Sequence, residues 1–217
     1  MRFDEAVRRL EPLPDVMPDP PEALVPVFRD TGRPRPRFPS EDGSVAARPA
    51  AVLVLLFPDD AGEARLVLTE RVDRGGTHSG EVSFPGGSAE PGDADLVATA
   101  LREAAEEVGL DAAQAGVRVL GRLPGHWIPV SNFAVTPVVA VAERRPRLVA
   151  QPSEVATILE PLVAAFLPDG ELQWVERRVR GWDLRYAAYP VEGLAVWGMT
   201  AMVLGRLGAW LGRPSEG

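Results

Sequence analysis

The apolar and polar positions of this 217-residue chain change rhythm several times, and each change marks an element. Residues 2–10 are charged and amphipathic and predict a short helix. From 11 to 40 nine prolines interrupt any regular pattern, which predicts an arm, either a solvated linker or a strap over the domain. Its arginines, Arg29, Arg33, Arg35 and Arg37, are given no role. Strands are predicted at 50–57, 65–71, 80–84, 116–122 and 133–142, from β-branched enrichment, partial alternation and intervening Gly and Pro turns. Residues 171–178 and 182–189 read as a hairpin around Arg180-Gly181. The last segment, 194–211, reads as a helix with Trp197, Leu204, Leu207 and Leu211 at core spacing. The pattern describes an α/β fold with a mixed sheet between helices, and no repeat of useful length.

One predicted helix has two unlike faces. Val97, Leu101, Ala104 and Val108 gather into an apolar stripe at about 100° per residue. Glu103, Glu106 and Glu107 stand at i, i+3 and i+4, so their carboxylates share another, exposed face. Asp93 or Asp95 is placed to cap the start, Gly109 suits a left-handed position after the end, and Phe84-Pro85-Gly86-Gly87 reads as a strand end entering a tight turn. Like charges at these spacings repel by roughly 0.2–0.5 kcal/mol per pair. A hard divalent cation, Mg²⁺ or Mn²⁺, would offset that repulsion, because such ions prefer carboxylate, carbonyl and water oxygens. Arg102 neutralises only part of the charge. Spacing alone also fits a solvated acidic surface.

Composition narrows the chemistry. At 46% hydrophobic the chain can bury one substantial core. The expected organisation is an N-terminal helix and Pro-rich arm at 1–40, then one domain at 41–217. There is no Cys, and His78 and His126 are the two histidines, which excludes disulfides, thiolate zinc and a thiol nucleophile and leaves an oxygen-ligated metal. The net charge of -8 argues against nonspecific nucleic-acid binding. All 23 basic residues are arginine, which we read as genomic base composition. No apolar run is long enough to span a bilayer, and residues 1–10 lack the apolar core of a secretion signal, so the expected compartment is the cytoplasm. A homodimer is left open.

The segment from Gly87 through Arg102-Glu103-Ala104-Ala105-Glu106-Glu107-Val108-Gly109-Leu110 resembles the Nudix box, G-x5-E-x7-R-E-U-x-E-E-x-G-U. Its final nine residues follow the pattern closely. Counting back from Arg102, the box would place Glu at 94 and Gly at 88, where this chain has Ala94 and Ser88. Gly87 and Asp93 keep the five-residue gap between themselves, so the front half is displaced by one residue, and either Asp93 or Asp95 takes the place of the first Glu. Upstream, Leu68-Thr69-Glu70-Arg71 and His78 through Gly87 are similar to the signature of the coenzyme A pyrophosphatase branch, L-L-T-x-R-[SA]-x3-R-x3-G-x3-F-P-G-G. Val72 replaces its Ser or Ala, and Gly76 its second Arg, with Arg74 close by. The resemblance extends over roughly 48–211.

The resemblance implies an α/β/α sandwich and a metal-dependent hydrolase of a diphosphate linkage. It implies Glu103, Glu106, Glu107 and the Gly87 carbonyl as metal ligands. Arg102 becomes an orienting partner, and Arg71, His78, Gly86 and Gly87 the substrate contacts. Arg71 could equally pair with a nearby acid. The general base is Glu103 or Glu154, although Glu154 reads slightly better as a cap before a short helical turn. Trp127 reads as packing. The substrate implied is coenzyme A or an acyl derivative. The alternatives are another nucleoside diphosphate derivative, such as ADP-ribose, NADH or a dinucleotide, and a nucleotide-sensing module without turnover.

Overall fold

The computed structural model describes residues 1–11, 13–14, 16–34, 47–72, 81–128, 131–179 and 181–213. In chain order the elements are α1 (Phe3–Leu10), β1 (Val27–Phe28), β2 (Arg48–Pro58), β3 (Ala64–Leu66), β4 (Leu68–Arg71), β5 (Val82–Ser83) and β6 (Gly86–Ser88). Then come α2 (Leu96–Val108), α3 (Ala112–Ala115), β7 (Val117–Arg122), β8 (His126–Ile128) and β9 (Phe133–Ala142). The chain ends with β10 (Val155–Leu159), β11 (Gln173–Val179), β12 (Trp182–Val191), β13 (Leu194–Val196) and α4 (Gly198–Leu211).

The apolar run of β2 shows how the layers form. A strand buried on both faces loses the polar alternation of a half-exposed one, and β2 is buried at every position from Ala50 to Phe57. Val52, Val54 and Leu56 join a core that includes Ala201, Leu204 and Leu207 of α4 and Ala6 and Leu10 of α1. Leu53, Leu55 and Phe57 join a second core with Ala100, Ala104 and Val108 of α2. Val139 and Val141 of β9 take the first side, Val138 and Ala140 the second. The sheet therefore lies between α2 and the α1–α4 pair, the α/β/α sandwich expected. It is mixed: β2 and β9 are parallel, while β3, β6, β7 and β8 pair antiparallel. Two smaller sheets, β10-β4-β5 and β1-β12-β11 with β13 on β12, complete the fold.

Several boundaries differ from the expectation. The strand at 65–71 divides into β3 on β2 and β4 between β10 and β5, with buried Val67 between them. Gly86-Gly87 is not a tight turn but part of β6, paired with Val52 and Ala51. At the C-terminus, 194–196 is a strand opposite Tyr189–Val191, and α4 begins only at Gly198, which has φ +65. Trp197 is thus extended and stacks on Tyr186 instead of joining the helix core. The elements β8, β10 and α3 are too short for a periodicity signal.

The described part of the Pro-rich arm, up to Pro34, is a strap. Met17 and Leu24 are buried in the core, β1 pairs with β12, and Pro20, Pro21 and Leu24 lie so close to α4 that a Cβ on Gly205 would stand 2.8 Å from Leu24. The indole of Trp210 in α4 donates to the Arg9 carbonyl at 2.7 Å, tying α1 to the same helix. No helix among the described residues is long and apolar enough to cross a membrane.

Candidate active site

The acidic helix begins and ends as its sequence demands. The Asp95 carboxylate caps it, accepting from the Val97 and Ala98 amides at 2.9 Å, and Gly109 closes it in the left-handed conformation with φ +64. Asp93 does something else. Its two carboxylate oxygens meet Arg102 as a fork, Nε at 3.0 Å and Nη2 at 3.1 Å. It also accepts from the Thr99 hydroxyl at 2.8 Å and the Glu90 amide at 2.9 Å. The displaced front of the motif is thereby resolved: Asp95 starts the helix, and Asp93, folded back by a turn at 90–93, reaches its arginine.

Arg102 uses all five of its N–H donors. Besides the fork, Nη1 donates to Glu103 and to Glu106, both at 3.0 Å, and Nη2 donates to the Ser88 carbonyl at 2.9 Å. One guanidinium thus ties the first strand of the motif, the pre-helix turn and two acids of α2 together. Asp93, foremost among its partners, makes Arg102 hold its proton still more firmly, and Arg102 in turn keeps the Asp93 carboxyl well below the usual carboxylate range.

The three acids are not equivalent, and the shared exposed face is corrected here. Glu106 is exposed, Glu103 is largely covered, and Glu107 has a side chain only 3% exposed. At about 100° per residue Glu107 lies nearer the apolar stripe than Glu106 does. Its Oε2 accepts from the Gly86 amide at 3.0 Å, and its Oε1 lies 3.5 Å from Arg71 Nη1. Burial pushes the Glu107 carboxyl up to about 7, against the opposing pull of the Gly86 amide and Arg71 and with help from Glu103 and Glu154. Glu103 is also raised, by burial first, with Arg102 opposing.

Glycine is required beneath these acids. A Cβ on Gly87 would stand 2.6 Å from the Glu103 carboxylate, and a Cβ on Gly86 would stand 2.3 Å from the Ala51 carbonyl oxygen. The Glu103 carboxylate therefore rests directly on the backbone of β6. Gly87→Ala should displace it and lower turnover by about 10–100-fold. Gly86→Ala, which meets backbone, should instead destabilise the fold by about 1–3 kcal/mol. Steady-state rates and chemical denaturation check both, and an active, stable Gly87→Ala protein would refute the seating of Glu103.

The donor set fits a hard divalent ion in its chemistry: carboxylates with a backbone carbonyl among them, no sulfur, and buried like charges that a cation would relieve. Among the described residues, however, no three acidic or imidazole side chains already converge as a ligand set. Arg102 holds Glu103 and Glu106, and Glu107 is turned onto Gly86.

Arg71 is placed at the acids, where it pairs with Glu107; its amide donates to the Glu81 carbonyl at 3.1 Å. Glu154 lies close enough to raise both Glu103 and Glu107. It stands in a turn leading into β10, with its carbonyl accepting from the Val72 amide at 3.0 Å, so it precedes a strand and not the helical turn expected. Only the tertiary pairing of β10 with β4 brings it here. His78, with Arg74 and Gly76, lies outside the described residues. Trp127 sits in β8, its indole bonded to Asn132 at 3.0 Å. The residues left without a role by sequence reasoning are Thr99, which braces Asp93, and Glu81, beside Arg71. A hydroxyl inside the helix at i−3 from Arg102 is the one signal for Thr99.

A NUDIX domain family model matches residues 47–179. Nudix hydrolase 15, mitochondrial, of Arabidopsis thaliana is 34% identical over 189 residues, covering 84% of this chain and 61% of that protein. The chain thus spans less than two thirds of that relative's length. An uncharacterized Nudix hydrolase NudL of Yersinia enterocolitica is 35% identical over 167 residues, covering 77% of this chain and 84% of the relative. Among solved structures, the Nudix hydrolase RenU of M. smegmatis matches with a TM-score of 0.47 at 24% identity, covering 58% of this chain and 78% of that one. Nudix hydrolases act on nucleoside diphosphate derivatives and generally use a divalent metal such as Mg²⁺ or Mn²⁺. A domain match over more than half of the chain, with relatives of this identity across most of it, shows that the chain belongs to the Nudix hydrolase family.

Proposed function

We propose that this chain hydrolyses the diphosphate bond of coenzyme A or acyl-coenzyme A, giving (acyl-)4'-phosphopantetheine and adenosine 3',5'-bisphosphate. The observation that carries the hydrolase reading is the buried Glu107 between Gly86 and Arg71, next to Glu103 seated on Gly87. An enclosed pair of acids is costly for a fold that does nothing with it. The coenzyme A assignment rests on the signature from Leu68 to Gly87. Glu103, Glu106, Glu107 and the Gly87 carbonyl would hold Mg²⁺ or Mn²⁺, which when bound supplies Lewis-acid stabilisation of charge on the diphosphate oxygens.

The remaining roles belong to the protein. Arg102, locked by Asp93, orients Glu103 and Glu106 on α2. Arg71 faces the same acids from β4 and offers a guanidinium to a phosphate oxygen. Glu103 or Glu154 accepts the proton of the attacking water, which adds to one phosphorus in line as the other phosphate leaves. Gly76 in place of the branch arginine favours a second reading, hydrolysis of another nucleoside diphosphate derivative.

A panel of coenzyme A, acetyl-coenzyme A, NADH and ADP-ribose with Mg²⁺ or Mn²⁺ tests both. The expected result is the highest kcat/KM on coenzyme A or its acetyl form. Preference for ADP-ribose or NADH would move the assignment to the second reading, and failure to cleave any of the four would overturn the hydrolase reading.

A further inference from the structure

The hairpin β11–β12 has a buried face that neither apolar core uses. Ala187, Tyr189 and Val191 of β12 point into the core beneath α4. Tyr186 and Ala188, which alternate with these and face the other way, are just as buried at 1% and 0%, yet they belong to neither cluster. Register places Arg177 of β11 opposite Leu184, on this same second face. Trp197 follows β13 and stacks on Tyr186 with ring centroids 5.0 Å apart and planes 21° from parallel. The Arg177 guanidinium lies 6.0 Å from the Trp197 ring. Arg177 is exposed and Trp197 partly so, which leaves part of this aromatic and cationic shelf open to solvent.

The shelf lies toward the acids, not away from them. β13 packs beside β5, and β5 pairs with β4, the strand that ends in Arg71. Glu81, whose carbonyl accepts from the Arg71 amide, is close enough to act on the Tyr186 phenol. Burial pushes that phenol up, with Arg177 opposing and Glu81 adding to the effect. The sequence of neighbours from the acids outward is therefore Glu107, Arg71, Glu81, Tyr186, then Arg177 and Trp197.

We infer that Trp197 and Arg177 form the wall that binds the nucleotide end of the substrate, the indole stacking on a purine ring and the guanidinium meeting its phosphate. The inference rests on the hydrolase reading and adds to it a residue-level account of substrate choice. An aromatic face accepts any base by stacking, worth about 1–3 kcal/mol per base, and an adjacent guanidinium adds charge and planar hydrogen bonding. Neither residue touches the acids, so both act on binding and not on the attack at phosphorus.

Arg177→Ala, Trp197→Ala and Trp197→Phe are compared in the full chain, with Trp174→Phe as the control on the opposite face of the hairpin. Arg177→Ala and Trp197→Ala should raise KM for the preferred panel substrate by about 10-fold with kcat changed less than about 2-fold, and Trp197→Phe should keep most of the affinity. A second readout needs no turnover: quenching of tryptophan fluorescence by adenosine 5'-monophosphate and by adenosine 3',5'-bisphosphate. Both titrations should weaken about 10-fold in Arg177→Ala and stay unchanged in Trp174→Phe. Arg177 is exposed, so its variant tests the wall even where Trp197→Ala fails to fold. Unchanged KM and unchanged quenching in Arg177→Ala would overturn the wall while leaving the hydrolase reading intact. An inactive wild-type protein that still shows Arg177-dependent quenching would do the reverse.

Discussion

Glu107→Gln is expected to lower kcat by at least about 100-fold while leaving the metal-free protein as stable as the wild type at pH 8, or more so. The two halves of this result have one cause. Glu107 is buried, and its carboxyl is pushed up to about 7, from an ordinary value of 4.5. Between those values the folded protein binds more protons than the unfolded chain, so this group's contribution to stability falls as pH rises through the window. Each unit is worth about 1.4 kcal/mol, which makes the loss about 3 kcal/mol between pH about 4.5 and 7. Gln cannot ionise and can still accept from the Gly86 amide. The difference between the wild-type and variant unfolding curves should therefore slope across that window and level off above it. Mg²⁺ added at pH 8 should raise the wild-type melting temperature more than that of the variant. Rates within 2-fold of wild type would refute Glu107 as part of the catalytic centre, and parallel pH curves would refute its raised proton affinity.

Replacing the two aspartates before α2 should produce opposite losses. Asp95→Ala removes a helix cap and should cost about 1 kcal/mol of stability with turnover near wild type. Asp93→Ala leaves Arg102 without its fork, and Arg102 is what holds Glu103 and Glu106, so turnover should fall by about 10–100-fold. Asp93→Glu, which keeps the charge and the fork chemistry, should recover part of that loss. Denaturation midpoints read beside steady-state rates separate the two effects. If Asp95→Ala proves the more damaging to catalysis, the roles drawn from the Arg102 network are reversed.

Much of this arrangement was legible in the chain because it is local. Helix spacing put Glu103, Glu106 and Glu107 near one another, the stripe from Val97 to Val108 told which side meets the sheet, and Gly109 marked the end. The acids could not be ranked by spacing, since Glu103 and Glu107 differ by only about 40° around the helix and only the packed sheet sets where the boundary of burial falls. Phe84 to Gly87 suggested a turn because glycine pairs are turn formers; in the fold the two glycines belong to strand β6, and their missing side chains let Glu103 and β2 approach.

The sequence by itself determined the layers, the acidic helix and its family, because these rest on periodicity and on a contiguous motif. Tertiary structure alone decided which aspartate serves Arg102, since that choice depends on a turn folding back over nine residues. It also decided that Glu107 is the buried acid, that Arg71 reaches it from strand β4 and Glu154 from the turn before β10, and that Trp197 leaves the last helix to stack on Tyr186. These are contacts between residues far apart in the chain, and their free energy comes from burial and pairing that exist only once the sheets have assembled.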